Sequence, residues 1–351
     1  MKNLTVLTVF LFFFFGFGQT SKLSPEHYKN KRKLFREQLP ENSVAVIFSA
    51  PIRNRANDVD YIYHQDPNFF YLTGWHQPHS VLMIYKDAQS DGEGIYHEKI
   101  YVQERDEYNE MWDGKRYALD QVKKLDFERV TERVDFKKDI TNLNSFDRVL
   151  LFEFKNDIRK QTMYVLKDGI RHKIDDPNNL FELKAAFREA INFPIDFNRM
   201  RHMAYQTIME ADQNNLEESR TIVKQMMEED GLLINDEIIQ DFLKEPANNF
   251  YREAKKKTAY AMRNYNFDLE TLPAIMADMR ELKTKNEIEL LKKAIAISVV
   301  GQIEVMKAMH PQMSEREIQG IHEFVYRKYG AADEGYPSIV GGGENGCVLH
   351  Y

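Results

Sequence analysis

The chain has 351 residues, 43% of them hydrophobic and 29% charged, which is enough apolar material for a packed core and too much for overall disorder. Its 48 basic and 55 acidic residues leave a net charge of −7, so bulk electrostatics recommend neither nucleic acid nor an anionic membrane as a partner. A single cysteine, Cys347, excludes an intramolecular disulfide and any cysteine-rich zinc site.

Lys2 precedes an apolar run over residues 4–17 that ends at Gly16-Phe17-Gly18 before the polar Gln19. The run is shorter than the ~20 residues a membrane helix needs, and its small residues suit cleavage after Gly18. Residues 1–18 therefore read as a signal peptide of an exported protein, periplasmic or secreted, with no stable membrane association once it is removed.

Ser24 and Pro25 supply an N-cap and a first-turn proline, and Tyr28, Phe35 and Leu39 an apolar face that Pro40 ends. Short β-rich runs follow at residues 43–50, 69–73, 81–86, 99–104 and 149–154, with helical stretches near 118–124 and 180–191. This alternation predicts an α/β domain. From about 197 to 272 charge and helix formers dominate, which predicts a helical expansion with solvated faces.

Thr284 with Glu287, and Ser314 with Glu317, are two capping boxes, so helices start at both places. In the first helix Ile288, Leu291, Ile295, Val299, Ile303, Met306 and Met309 recur at helical spacing and predict a buried stripe. In the second, Ile318, Ile321, Val325 and Tyr329 share a face and Gly330 is placed to end it. Residues 336–340, the glycine run 341–346 and residues 347–351 read as a β-hairpin-like pair closing the chain.

Several chemistries fail on motif grammar. The glycine run lacks the Lys-Ser/Thr ending of a phosphate cradle and no helix follows it. His322-Glu323 opens like a zinc-protease helix, but the partner position holds Tyr326. His76 and His79 flank Pro78 and read as surface or turn histidines, and Cys347 as a small buried hydrophobe in a strand.

The run Phe69-Phe70-Tyr71-Leu72-Thr73-Gly74-Trp75, with Gln77-Pro78 and Val81-Leu82 after it, is similar to the signature of the N-terminal domain of the aminopeptidase P (Xaa-Pro aminopeptidase) family. Glu104-Arg105-Asp106 leading to Trp112-Asp113-Gly114 resembles that domain's next landmark. Arg280 to Glu289 resembles the junction where the family's catalytic domain begins, and residues 341–351, GGGENGCVLHY, the segment leading into its active site. The resemblance implies a creatinase-like N-terminal domain, a mixed sheet flanked by helices, at 19–283, with its helical expansion at about 197–272. Residues 284–351 would then be the first part of an α+β pita-bread metallopeptidase domain.

It further implies hydrolysis of the N-terminal residue from peptides with proline in second position, by a hydroxide formed between two divalent metal ions, commonly manganese. Proline-containing peptides are the implied partners, and a homo-oligomer, dimer or tetramer, the implied assembly. His350 matches a histidine that hydrogen-bonds substrate near the metal centre, a catalytic and substrate-binding position, and Tyr336 matches a substrate-cleft tyrosine. The family's five metal ligands all lie beyond the position of Tyr351, so no metal ligand is assigned. Asp333, Glu334 and Glu344 match none. The expectation is a C-terminally truncated chain, inactive alone. Two alternatives stay open: a prolidase, or a non-catalytic protein for oligomerisation or peptide binding.

Overall fold

The computed structural model describes residues 22–349 apart from 58, 155–161, 169, 176–179, 191–198, 245 and 263–265. Residues 25–279 form one compact unit and residues 280–351 belong to a second.

In the first unit, helix α1 (Pro25–Gln38) starts at the predicted proline and buries Tyr28, Arg32 and Phe35. Six strands make one mixed sheet: β1 (Ser43–Phe48), β4 (Val81–Asp91), β5 (Gly94–Val102), β6 (Arg129–Glu132), β7 (Arg148–Leu150) and β10 (Phe267–Asp268), in the order β10-β7-β1-β4-β5-β6. The β1–β4 and β4–β5 pairs are antiparallel, and the β1–β7, β7–β10 and β5–β6 pairs are parallel. The short β2 (Asn54–Ala56) and β3 (Val59–Asp60), and β8 (Thr162–Lys167) and β9 (Ile170–Asp175), form two separate antiparallel ribbons.

The period-two geometry of a strand sends successive side chains of β1 into two different cores. Ala45 and Ile47 join Phe35, Phe69, Leu72, Trp75 and Ile275. Val44 and Val46 join Tyr101, Phe136, Leu183 and Phe187. Both faces of β1 are therefore covered, which is why its sequence, SVAVIF, reads as a nearly continuous apolar run.

Residues 69–73 are helical, not the strand their β-branched and aromatic content predicts. Helix α2 (Pro67–Thr73) is started by Asp66, whose carboxylate accepts from the backbone of Asn68 and Phe69, and is stopped by Gly74 at φ 64°. Phe69, Leu72 and Thr73 are its buried residues, at helical spacing. Capping chemistry at both ends outweighs intrinsic β propensity over so short a run.

The helices α3 (Glu107–Asp113), α4 (Leu119–Val122), α5 (Phe136–Asp139) and α6 (Leu180–Ala190) flank the sheet region in sequence. The charged stretch then folds as α7 (Arg199–Glu210), α8 (Leu216–Glu229), α9 (Glu237–Leu243) and α10 (Ala247–Met262) around a third core that includes Ile208, Val223, Phe242 and Ala254. After it the chain returns to the sheet as β10, and α11 (Thr271–Glu281) adds Leu272, Ile275 and Met276 to the first core.

The second unit holds α12 (Lys285–Ala308) and α13 (Glu315–Lys328). Both predicted capping boxes are formed in full. The predicted buried stripe of α12 is not. Ile288, Leu291, Ile295, Val299, Ile303, Met306 and Met309 are exposed, and Ile297, Gly301 and Val305 are buried instead. The face that packs is selected by Gly301, where a side-chain carbon would lie 2.5 Å from the His322 ring, so the approach of α13 needs a glycine there. Gly330, at φ 86°, ends α13 as predicted.

The predicted hairpin at the end of the chain also fails. Residues 336–342 carry no strand, and Gly343–Cys347 is a 3₁₀ turn, in which Cys347 is exposed and not buried in a strand. No helix among the described residues is long and apolar enough to cross a membrane. The predicted signal peptide, residues 1–18, lies outside the described residues.

Candidate functional site

The segment around Trp75 is held by one side chain. Gln65 Oε1 accepts from the backbone N–H of Ala50 and of Asp66, each at 2.8 Å. Its Nε2 donates to the carbonyls of Trp75, at 3.2 Å, and Gln77, at 3.0 Å. Thr73 Oγ1 donates to Phe69 O and accepts from Trp75 N, and Trp75 Nε1 donates to Ser80 Oγ at 3.1 Å. Gly74 packs so closely on Tyr28 that a Cβ would fall 2.4 Å from the ring. The run Thr73-Gly74-Trp75 is thus committed to backbone turning and core contact, a structural role for these residues of the Phe69–Trp75 run.

Of the two histidines flanking Pro78, His76 is exposed and meets the rings of Tyr63 and Phe70 edge-on. His79 is buried, which corrects the surface reading, and it sits at φ 56°. Burial, and then the charges of Arg133 and Arg116, push its imidazole down to about 3, so it is neutral at physiological pH. It is a packed neutral side chain with no titration near pH 7 to offer.

The second landmark is also built from caps. Asp106 accepts from the N–H of Tyr108 and Asn109 to start α3, and Arg105 pairs with Glu110 through two nitrogens at 3.0 and 2.6 Å. Glu104 accepts from Arg133 Nη2 and from the N–H of Val134. These pairings leave Met111 and Trp112 pointing into solvent, Trp112 at 70% exposure.

In the second unit the predicted Tyr336 lies in the irregular segment before the glycine run and is 73% exposed. His350 lies outside the described residues. Sequence reasoning missed Glu315, the first residue of α13. Its Oε1 accepts from the N–H of Gly342 at 2.6 Å and from Asn345 Nδ2 at 3.1 Å, tying the glycine run to the start of the helix. No local signal announced that contact, since its partners lie 27 and 30 residues away.

Among the described residues, no group of three or more His, Cys, Asp or Glu side chains is placed to hold a metal ion. Asp333 and Glu334 are adjacent carboxylates of the second unit. A hydrogen bond with Asp333 holds the Glu334 carboxyl above its ordinary value, with the charge of Glu323 acting in the same sense. The donor set present does not fit a two-metal centre, so metal chemistry is not assigned to these side chains.

Comparison with known proteins agrees with this architecture. Residues 28–151 match the family model for the aminopeptidase P N-terminal domain, and residues 289–351 match metallopeptidase family M24. The Xaa-Pro aminopeptidase of Escherichia coli is 24% identical over 338 residues, 94% of this chain and 55% of that protein. Intermediate cleaving peptidase 55 of Schizosaccharomyces pombe is 37% identical over 106 residues, 30% of this chain and 21% of that protein. Among solved structures, E. coli aminopeptidase P with the inhibitor Pro-Leu superposes with a TM-score of 0.58 at 22% identity, covering 94% of this chain and 55% of that one. The Pseudomonas aeruginosa aminopeptidase gives 0.61 at 21% identity, covering 95% and 55%.

In fold and domain order the chain resembles the aminopeptidase P structures, with a mixed α/β domain preceding a segment that matches the M24 metallopeptidase model. Along its length the chain is similar to the aminopeptidase P family. It spans about half the length of the Xaa-Pro aminopeptidases it matches from end to end.

Proposed function

We propose that this chain supplies the N-terminal domain and the opening of the catalytic domain of an exported Xaa-Pro aminopeptidase, which releases the first residue of peptides carrying proline in second position. The observation that carries the reading is the pair of family matches, in this order, with an alignment to an Xaa-Pro aminopeptidase over 94% of the chain. In the complete enzyme, divalent ions, manganese by the family's habit, would activate water, with their ligands supplied by residues other than 1–351. Tyr336 and His350 would contribute on the substrate side, with His350 stabilising charge on the tetrahedral intermediate. Proline's tertiary amide lacks the N–H that other peptide bonds present, so its recognition rests on shape and a fixed φ. The complete protein is read as a homo-oligomer, and residues 1–351 as inactive alone.

The test is release of the N-terminal residue from two peptides that differ only by Pro or Ala in second position, with manganese present. The complete gene product should cleave the proline peptide alone, and residues 19–351 neither. Cleavage of both peptides at similar rates, or turnover by residues 19–351, contradicts the reading.

A further inference from the structure

We infer that the helical expansion carries an anion-binding cavity of its own, which takes a ligand with a diphosphate group. A cavity of about 630 Å³ opens where α10 passes the turn between α7 and α8, lined by Arg252, Lys255 and Lys256 on the helix and by Asp212, Gln213 and Asn214 on the turn. It lies between the two family matches, which end at residue 151 and resume at residue 289, so neither accounts for it.

The three cations stand at i, i+3 and i+4 of one helix, the spacing that sets side chains on one face with their Cβ atoms about 5–6 Å apart. Ion pairs do not consume them. Among the described residues no carboxylate pairs with Arg252 or Lys255, and Lys256 meets only Glu253, at 3.8 Å with both side chains exposed. Lys257, the next residue, differs, being held by Asp241 at 2.5 Å. Arg252 Nε donates to the Tyr251 hydroxyl at 3.3 Å and Lys255 Nζ to the Ala211 carbonyl at 2.5 Å, neutral acceptors that orient both heads without cancelling their charge.

The one lining acid, Asp212, is engaged by its own turn, where its Oδ1 accepts from the N–H of Asn214 at 2.7 Å and of Asn215 at 3.1 Å. Three cations against one carboxylate leave the cavity positive in a chain whose net charge is −7, so its sign does not follow from composition. A guanidinium fork pairs with two oxygens of one phosphate, and the ammonium groups act as point charges beside it. A single carboxylate would leave two of the cations unanswered, whereas two linked phosphates present oxygens to all three. The volume falls within the ~300–1,000 Å³ of small-molecule pockets, which is room for more than an isolated ion.

The experiment is calorimetric titration of the purified chain with pyrophosphate, ADP and orthophosphate in about 0.1 M salt, where surface charges beyond ~10 Å are screened. Pyrophosphate or ADP should bind once per chain, and orthophosphate at least about tenfold more weakly because it reaches fewer cations. The tighter of the first two names the source of the diphosphate, and either supports the site. Arg252→Gln should weaken binding about tenfold, as for loss of one charge-assisted hydrogen bond, and Lys256→Gln about threefold. Lys257→Gln, outside the cavity, should change it by less than about twofold. Arg252 and Lys256 are both exposed, so either variant tests the site should the other fail to fold.

Absence of saturable binding by pyrophosphate and ADP overturns the inference. So does orthophosphate binding as tightly as pyrophosphate, or a loss in Lys257→Gln equal to that in Arg252→Gln, which would make the attraction one of diffuse surface charge. None of these readouts uses peptidase activity, so failure of the substrate assay and failure of this inference are separable.

Discussion

Arg32 Nε lies 2.9 Å from each carboxylate oxygen of Glu98, with the guanidinium carbon 3.9 Å from the centre of the Phe127 ring. The same guanidinium donates to the carbonyls of Leu72, at 3.2 Å, and Asp126, at 2.8 Å. One buried cation therefore joins α1, the end of α2, β5 and the turn after α4. Burial pushes the Glu98 carboxyl up and the Arg32 guanidinium down, each opposed by the other's charge. Arg32→Ala should cost about 3–5 kcal/mol in chemical denaturation, because it strands a buried carboxylate. Arg32→Met with Glu98→Leu should recover most of that loss. A loss below ~1 kcal/mol in the single variant would show that the pair does not hold this region.

His79 makes the first unit sensitive to acid. Its folded value, about 3, lies below the unfolded value near 6.5, so protons bind the unfolded chain first. Its contribution is complete above pH ~6.5 and is lost as pH falls from there toward 3, by at most about 1.4 kcal/mol per pH unit. His79→Asn removes the titration while suiting the left-handed backbone. Urea unfolding at pH 7 and pH 5 should therefore show a smaller acid loss in the variant than in the parent, and equal losses would count against a neutral buried His79.

The helix pair of the second unit turns on Gly301. Placing a methyl group there would normally favour the helix by ~1 kcal/mol, yet it would meet the His322 ring at 2.5 Å. Gly301→Ala should therefore destabilise the pair by about 1–3 kcal/mol, and Gly301→Ala with His322→Ala should be less destabilised than the first variant. Additive losses in the double variant would mean that the two residues do not touch.

Two neighbours on α12 report which face is packed. Ile295 is 61% exposed and Ile297 is 8% exposed. Ile297→Ala should cost about 2–4 kcal/mol and Ile295→Ala no more than ~0.5 kcal/mol, measured by hydrogen exchange across the helix pair. The reverse ranking would restore the face that apolar spacing alone selects.

That reversal marks where the sequence stops being readable. Capping boxes are local, and Thr284–Glu287 and Ser314–Glu317 form as their spacing predicts. Apolar periodicity shows that a helix has a greasy side, but not which neighbour covers it. On α12 the packed face is set by a glycine and by a ring 21 positions away.

Short strands escape for a related reason. β6 has four residues, none of them buried, and β10 only two, and both exist through pairing with distant strands. The helix at Pro67–Thr73 was legible from Asp66, Pro67 and Gly74, had cap grammar been weighed above β propensity. At the candidate site, Tyr336 and His350 were suggested by family resemblance, whereas the Glu315 clamp is a tertiary contact without a local signature.

The central claim is the proposal that residues 1–351 do not carry the metal ligands of the peptidases they resemble. Equilibrium dialysis of residues 19–351 against micromolar manganese, followed by elemental analysis, tests it most directly. The account predicts far less than one ion per chain. Retention of two ions per chain would contradict it.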